Sequence, residues 1–297
     1  FEIGEGSQDI GRLWARMASL YVRQGDYARA IPLLHRALAV ARRLKGSEDW
    51  LAAMLLNCQA EVLWKQGDCA AAEPLFREAL SVRRKALGEE HPHVVQSLNA
   101  LGSLLCQSGD PEVAEPLLRE ALEQFRKIRE EQHPDIATAL LSLATLVRSK
   151  GDYAAADSLC RVALAIAQNF RGDEHVDVAE CLHHLAATQM VQGKYREAET
   201  GFRKTLKMYA RFLDGGHPDA AQTLHDLARC LLAQGKLAAA EPLLMEAASA
   251  FETARLRVGG GYARATFQSS PYDALAAARL SLGKKPGQRL KGPAAVR

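Results

Sequence analysis

Long hydrophobic runs and aromatic side chains are scarce in this 297-residue chain. Aromatic residues make up only 6% of it, whereas the hydrophobic share of 48% and the charged share of 25% are ordinary for a soluble globular protein. No run approaches the roughly 18 consecutive apolar residues of a membrane span, and no charged-then-apolar leader opens the chain. Alanine is abundant instead, with 51 residues, and this balance favours closely packed helices over β-sandwiches or barrels.

Cysteine is also sparse, and its spacing excludes the usual paired motifs. The six residues are Cys58, Cys69, Cys106, Cys160, Cys181 and Cys230, with no Cys-x-x-Cys pair among them. A chain of this length needs no disulfide staples, so we expect free thiols and a reducing, cytoplasmic location. Because the sequence begins at Phe1 rather than at methionine, we also expect a fragment or a processed chain.

The net charge is small but unevenly distributed. The whole chain carries +3, whereas residues 255–297 hold nine Lys or Arg and one acid, for +8, which leaves −5 for the first 254 residues. A mildly acidic body does not match a dedicated nucleic-acid binder, which concentrates positive charge on its folded surface. The basic end has three interpretations: a plain disordered tail, a contact with an acidic surface or partner, or docking into the chain's own groove.

A 42-residue repeat organises the sequence. Six glycines recur at this spacing without an insertion, at Gly25, Gly67, Gly109, Gly151, Gly193 and Gly235. A second phrase recurs in the same register, with a His-Pro or His-Val pair at His91, His133, His175 and His217. Such self-similarity at a fixed period is the signature of a stacked repeat architecture.

Each unit predicts two helices joined by a glycine turn. Apolar residues at helical spacing precede the glycine, as at Leu98 and Leu101, and a second set follows it, as at Ala156 and Cys160. Glycine suits the turn because it adopts a positive φ at no steric cost. The His-Pro phrase suits a helix start, since proline at the first helical position loses no hydrogen bond. We therefore expect the loop histidines to be structural caps and not catalytic groups.

The unit resembles the tetratricopeptide repeat. The signature positions of that family fall, in the first unit, on Trp14, Ala18, Tyr21, Ala30, Leu34 and Ala37. The unit has eight residues more than the usual 34 and carries the phrase Leu-Gly-Glu-Glu-His-Pro at 87–92, which is similar to the kinesin light chain type. The resemblance implies an all-α, right-handed solenoid of about six helix-turn-helix repeats over residues 11–254. A lead-in at 1–10 precedes it, and a capping helix with a basic, disordered tail follows at 255–297.

The resemblance also implies a non-catalytic scaffold or adaptor that binds a partner protein or an extended peptide in its concave groove. The alternative is a regulatory or sensor domain of a larger signalling protein, in which the array moves. The sequence holds no glycine-rich phosphate loop, no His-Glu-x-x-His and no Gly-x-Ser-x-Gly motif. We therefore expect no enzyme activity, no cofactor and no bound nucleic acid or membrane span.

The nearest approach to a metal cluster is the sequence Cys181-Leu-His183-His184. Consecutive residues on a helix point about 100° apart and cannot converge on one ion, and no second pair lies at ligand spacing. We interpret Cys181 as a core residue and the two histidines as helix-face residues, and we predict no metal site.

Stacking the repeats aligns a candidate peptide-binding face. In the tetratricopeptide family, positions 2, 5, 6, 9, 12 and 13 of the first helix tend to line the concave groove. Position 5 holds Asn57, Asn99, His183 and His225 in four of the units. Amides and imidazoles can donate to peptide carbonyls and accept from peptide N–H groups, as recognition of an extended peptide requires.

Charged residues share this predicted face. The cations are Arg12, Arg16, Arg23, Lys65, Arg148 and Arg229, and the anions are Glu61, Glu180 and Asp226. The positive surplus predicts an acidic peptide ligand, and the alternative is a solvated helix face with scattered charges. Trp64 is either an aromatic anchor for the ligand or a residue that packs against the next helix. The predicted binding residues are Asn57, Trp64, Lys65, Asn99, Arg148, His183, His225 and Arg229.

Overall fold

The computed structural model describes residues 8–43, 49–213, 217–258, 272, 274–276 and 278. Those residues contain no strand and form twelve α-helices: α1 Gln8–Arg23, α2 Tyr27–Arg43, α3 Asp49–Lys65, α4 Cys69–Leu87, α5 Pro92–Ser108, α6 Pro111–Ile128, α7 Pro134–Ser149, α8 Tyr153–Arg171, α9 Val176–Val191, α10 Tyr195–Phe212, α11 Pro218–Ala233 and α12 Leu237–Val258. Consecutive helices pack in pairs, so that each odd-numbered helix is the first and each even-numbered helix the second of a unit. This confirms the predicted all-α array of six helix-turn-helix units.

Glycine closes each pair through a left-handed turn, as the spacing predicts. The six repeat glycines have φ values between +70° and +99°, a region that residues with a Cβ rarely adopt. Three of the second helices are capped directly after the turn, and in α2 the Asp26 carboxylate accepts from the backbone N–H of Arg29 at 3.2 Å. The carboxylates of Asp68 and Asp152 accept from the backbone N–H of Ala71 and Ala155, each at 3.0 Å.

The four loop histidines cap the first helices. The Nδ1 atoms of His91, His133, His175 and His217 accept the backbone N–H two residues later, at 3.1 or 3.2 Å. Three of them precede a proline at the first helical position, and the predicted structural role is confirmed. Because Nδ1 accepts, it carries no proton in the capped helix.

Small residues allow the two helices of a unit to pack closely. A Cβ added to Gly102 of α5 would lie 2.7 Å from the Cδ2 of Leu118 of α6. Larger side chains fill the space between units, and Phe76, Phe125 and Phe202 are at most 2% exposed. The apolar face of one unit is thus completed by its neighbours, as a solenoid requires.

The first two units meet the last unit, which the sequence did not predict. Helix α2 packs against α12, and a Cβ added to Gly25 would lie 2.5 Å from the Cδ of Pro218. The Lys65 ammonium lies 3.7 Å from the Asp219 carboxylate, and Tyr27 is only 5% exposed. We call these five residues the seam. Since the array closes on itself, its inner face encloses a lumen where an open groove was expected.

The last unit is covered from its far side. Tyr272, residues 274–276 and residue 278 are helical, where the sequence predicts a capping helix. Leu275 and Ala278 pack against Ala228 and Leu244 of α11 and α12, and the Tyr272 hydroxyl donates to Glu252 at 2.8 Å. The predicted glycine break at 259–261 and the basic stretch at 284–297 lie outside the described residues.

Candidate binding lumen

The charged residues of the first helices act on one another across the lumen. Lys65 of α3 influences the pKa values of Glu180 and His183 on α9 and of Asp219 on α11. Arg148 of α7 acts on His183 in the same way. Helices from four units therefore contribute to one inner surface of mixed charge.

Two carboxylates of this surface differ in their protonation. Enclosure by the surrounding protein and the nearby Asp219 raise the pKa of Glu180 to about 7, although its side chain keeps access to solvent in the lumen. Enclosure alone would also raise the pKa of Asp219, but Lys65, His217 and His183 outweigh it and lower that pKa below its ordinary value. Near neutral pH, Asp219 is therefore charged while Glu180 is partly neutral.

Asn57 belongs to a buried hydrogen-bond chain and is only 8% exposed. Its Nδ2 donates to Glu61 at 2.7 Å, and its Oδ1 accepts from the Ser97 hydroxyl at 3.3 Å. The Ser97 hydroxyl in turn accepts from Arg83 of α4 at 2.6 Å. This chain joins α3, α4 and α5, so Asn57 stabilises the array and is not a ligand-facing amide.

Asn99 has the same repeat position but a different environment. It is 7% exposed, and its Oδ1 is buried with no hydrogen-bond partner among the described residues. A buried carbonyl oxygen without a partner is costly to leave unsatisfied. A donor from a bound ligand would remove that cost.

The histidines of the same position are engaged or buried. The Thr223 hydroxyl donates to the backbone carbonyl four residues earlier at 2.8 Å, so its oxygen accepts from His183 Nδ1 at 3.1 Å. The Nε2 of His183 lies 3.7 Å from Asp226, and burial lowers the pKa of this histidine. His225 is 0% exposed. Its predicted placement on a ligand-facing surface is wrong, because the α11 position is enclosed at the end of the array.

The three cations of the prediction also differ. Lys65 pairs with Asp219, and Arg229 lies 3.6 Å from the Asp226 carboxylate. Arg148 is half-buried, and burial lowers its pKa. No carboxylate within the described part of the chain lies at ion-pair distance from its guanidinium. Arg148 is thus the lumen cation with unused pairing capacity.

Trp64 packs against the protein. Its ring lies edge-on to Phe76, with centroids 6.3 Å apart, and its Nε1–H donates to the Gln107 side chain of α5. The indole thus contacts both its own second helix and the next first helix, and its role as a ligand anchor stays a prediction.

Family models decide the classification. A tetratricopeptide repeat model matches residues 50–127, 97–169, 135–190 and 177–253, and a second model of this repeat matches residues 13–48. The chain belongs to the tetratricopeptide repeat family. Since the matches span nearly all the helical units, this family explains the 42-residue register of the whole array.

Solved structures similar to this tetratricopeptide repeat protein come from several sources. BtubC (BKLC) from P. vanneervenii is 25% identical, with a TM-score of 0.53 over 68% of this chain and 82% of that one. A putative kinesin light chain from P. anserina is 24% identical, with a TM-score of 0.50 over 66% and 92%. NprR in complex with its cognate peptide NprX is 15% identical, with a TM-score of 0.67 over 94% and 74%. The last two likenesses show the fold alone. A comparison with curated protein sequences gave no significant match.

The tetratricopeptide repeat protein offers little reactive chemistry in its described part. Within the described ranges, no group of three or more His, Cys, Asp or Glu side chains is placed to hold a metal ion. The six cysteines are free thiols, and burial raises the pKa of Cys58 to about 12 and that of Cys160 to about 11. Of the helices described, none is long and apolar enough to cross a bilayer.

Two inner residues of this tetratricopeptide repeat protein were missed by sequence reasoning. Asp219 is at none of the groove-lining positions 2, 5, 6, 9, 12 and 13 of its first helix, yet it recurs with Asp135 and Asp177 two residues after a loop histidine. That recurrence was a usable signal. Arg83 gave none, since it reaches Ser97 from a second helix and no position on the first helix indicates it.

Proposed function

We propose that this tetratricopeptide repeat protein is a non-catalytic scaffold that holds an acidic, extended peptide segment in its lumen. The observation that carries the proposal is Arg148. Its guanidinium is half-buried on the inner surface, and none of the described carboxylates lies at ion-pair distance. A buried cation without a partner is unfavourable in the empty protein, and a ligand carboxylate would form the missing pair.

The neighbouring unit supplies a contact for the ligand backbone. The unpartnered Oδ1 of Asn99 is buried in the empty protein, so it would accept a peptide N–H once this side chain turns toward the lumen, while Arg148 would hold an acidic side chain. NprR, which shares the fold, was crystallised with its cognate peptide, and this supports peptide binding as a use of the architecture. The two contacts lie on adjacent first helices, about 10 Å apart laterally, and so favour an extended ligand that crosses several units.

The surroundings of the titratable groups support binding over catalysis. His183 is held by Thr223, and burial lowers the pKa of His184 well below its ordinary value. Buried thiols with raised pKa values, such as Cys160 and Cys181, are poor nucleophiles. We therefore infer a scaffold in a reducing, cytoplasmic compartment.

The seam favours a second candidate function, that of a sensor whose array moves on binding. The first and last units touch through few residues, and the ion pair between Lys65 and Asp219 is half-exposed. A ligand that prefers an open or a closed array would shift this contact. The scaffold remains the leading proposal because Arg148 supports binding whether or not the array moves.

The test is a titration with a defined peptide. The probe is a fluorescein-labelled, alternating Ser-Glu peptide of about 12 residues, long enough to cross several units at about 3.4 Å per residue. We expect saturable binding that weakens with salt, and Arg148→Glu should weaken it more than about tenfold, roughly 1.4 kcal/mol.

Lys207→Glu provides the matched control, because this lysine is exposed on the second helix α10 and the variant changes the net charge equally. It should retain the wild-type affinity. Equal binding of a Ser-Gln peptide, or equal loss in both variants, would refute the acidic lumen ligand.

A further inference from the structure

The first helix carries an exposed apolar stripe. Leu13, Met17 and Leu20 are 55%, 39% and 55% exposed, and their spacing places them on one face of α1. We call these three residues the α1 stripe. All three side chains therefore face solvent.

The equivalent positions in the other units are covered. They are Leu55, Gln59 and Val62; Ser97, Leu101 and Leu104; Ala139, Leu143 and Leu146; Cys181, Leu185 and Thr188; and Thr223, Leu227 and Cys230. All are buried except Gln59, which is half-buried and lies 3.2 Å from His35 of α2. In each inner unit, the second helix of the preceding unit provides the cover.

The composition of the α1 stripe matches that of a covered surface. The far end of this array is covered by Leu275 and Ala278. At the other end, leucine and methionine at all three positions of α1 repeat the chemistry of the inner interfaces. The α1 stripe thus has the register and the apolarity of a helix-binding surface.

Charge indicates what kind of helix fits there. Arg16 and Arg23 are exposed and follow Leu13 and Leu20 by three residues each, so both lie along one edge of the α1 stripe. We propose that the α1 stripe is the docking surface for an amphipathic helix of a partner protein, apolar on one face and acidic along its edge. The partner helix would pack as a second helix of this array packs on the following first helix.

A second copy of this chain fits less well. Other large exposed hydrophobic side chains, such as Val113, Val191 and Phe212, lie on separate helices and make no comparable stripe among the described residues. Only another α1 would then match. In an antiparallel pair of α1 helices, the two arginine edges would lie side by side, and like charges in contact are unfavourable.

The test uses an acidic second helix of the array as its probe. The probe is a synthetic peptide with the sequence of residues 237–253, which contains Glu241, Glu246 and Glu252 and no Lys or Arg. It is stapled on its polar face, because short helices are marginal alone in water. We expect saturable binding to the full chain by isothermal titration calorimetry.

Paired variants locate the site. Leu13→Gln with Leu20→Gln should weaken binding of the stapled peptide at least about tenfold, and Arg16→Glu with Arg23→Glu should weaken it less and lower its salt dependence. Val162→Gln with Val191→Gln, at residues 51% and 48% exposed, is the control and should leave affinity unchanged. Melting curves of all three should match wild type, since the replaced side chains face solvent.

Three outcomes would overturn the proposal. An absence of saturable binding to the wild-type protein would show that the α1 stripe is not a docking surface. Equal weakening of binding in the control variant would show that the stapled peptide binds non-specifically. A wild-type dimer in sedimentation velocity that becomes monomeric in the Leu13→Gln, Leu20→Gln variant would assign the α1 stripe to a second copy. Because the stapled helix and the Ser-Glu peptide use different residues, failure here leaves the lumen proposal standing.

Discussion

The interfaces between successive units and the seam between the first and last units are built from different contacts. Between the last two units, Phe202 of α10 is fully buried in a cluster that includes Leu227 and Leu231 of α11. At the seam, Pro218 covers Gly25, and the side chains of Lys65 and Asp219 remain 50% and 48% exposed. Half-exposed ion pairs are worth only about 0–1 kcal/mol. The inner interfaces are therefore strong, and the seam is marginal.

This difference indicates that the inner interfaces cause the array to close and that the seam contacts result from the closure. The small rotation between successive units accumulates over five strong interfaces and brings the ends together. The seam contacts then add a small stabilisation to the closed form of an array that is already curved. Opening the seam requires little free energy compared with breaking an inner interface.

The largest expected effect is at an inner interface. Phe202→Ala should lower the free energy of unfolding by about 3–5 kcal/mol, because it removes a fully buried ring and leaves a cavity. Phe212→Ala in the same helix is the control, since that ring is 48% exposed, and it should cost less than about 1 kcal/mol. Urea unfolding followed by circular dichroism measures both. Equal costs would show that the inner interfaces are not the main source of stability.

A matched pair of glycines compares the seam with an open turn. Gly25 and Gly235 have nearly the same φ, +70° and +74°, but only Gly25 faces Pro218, while a Cβ on Gly235 would meet nothing within 4 Å. Alanine should cost about 1–2 kcal/mol at both sites through the left-handed backbone. If the seam is marginal, Gly25→Ala opens it at little further cost.

Hydrogen exchange distinguishes these two variants. Only Gly25→Ala should increase amide exchange at the start of α2 and of α11, where the seam lies. An additional cost of more than about 2 kcal/mol over Gly235→Ala, in the range of a core substitution, would instead show that the seam is as rigid as an inner interface.

The sequence determined the repeated, local features well. The turn glycines, the histidine caps and the pairing of helices all depend on residues that are close along the chain, and one register describes them in every unit. The free energy of each turn or cap depends little on the remaining units, so a pattern such as His133-Pro134 predicts its own structure.

Features that depend on the whole array could not be predicted in this way. Closure is a sum of unit rotations, which no single unit reveals, and it is the reason that Lys65 meets Asp219. The position-5 residues share one register but not one environment. Ser97, which accepts from Arg83, donates to Asn57, whereas Asn99 keeps an unpartnered oxygen and His225 is enclosed at the end of the array.

The smallest expected effect concerns the ion pair of the seam. Lys65→Glu should place a like charge opposite Asp219 and increase amide exchange at residues 218–222, while the free energy of unfolding changes by less than about 1 kcal/mol. Adding Asp219→Lys reverses the pair and should restore protection. High salt should reduce the difference between the single variant and wild type, since the Debye length falls to about 3 Å at 1 M.

A control is needed because a lysine in the first turn of a helix is itself unfavourable. Asp177→Lys tests this at the equivalent position of α9, which lies 42 residues earlier and away from the seam. It should reproduce the helix cost without changing exchange at α2. If Lys65→Glu leaves seam protection intact, or if the reversed pair fails to restore it, the packing of Pro218 on Gly25 holds the ring closed alone. The seam would then resemble the inner interfaces in kind, and a charged ligand would have no electrostatic means of opening it.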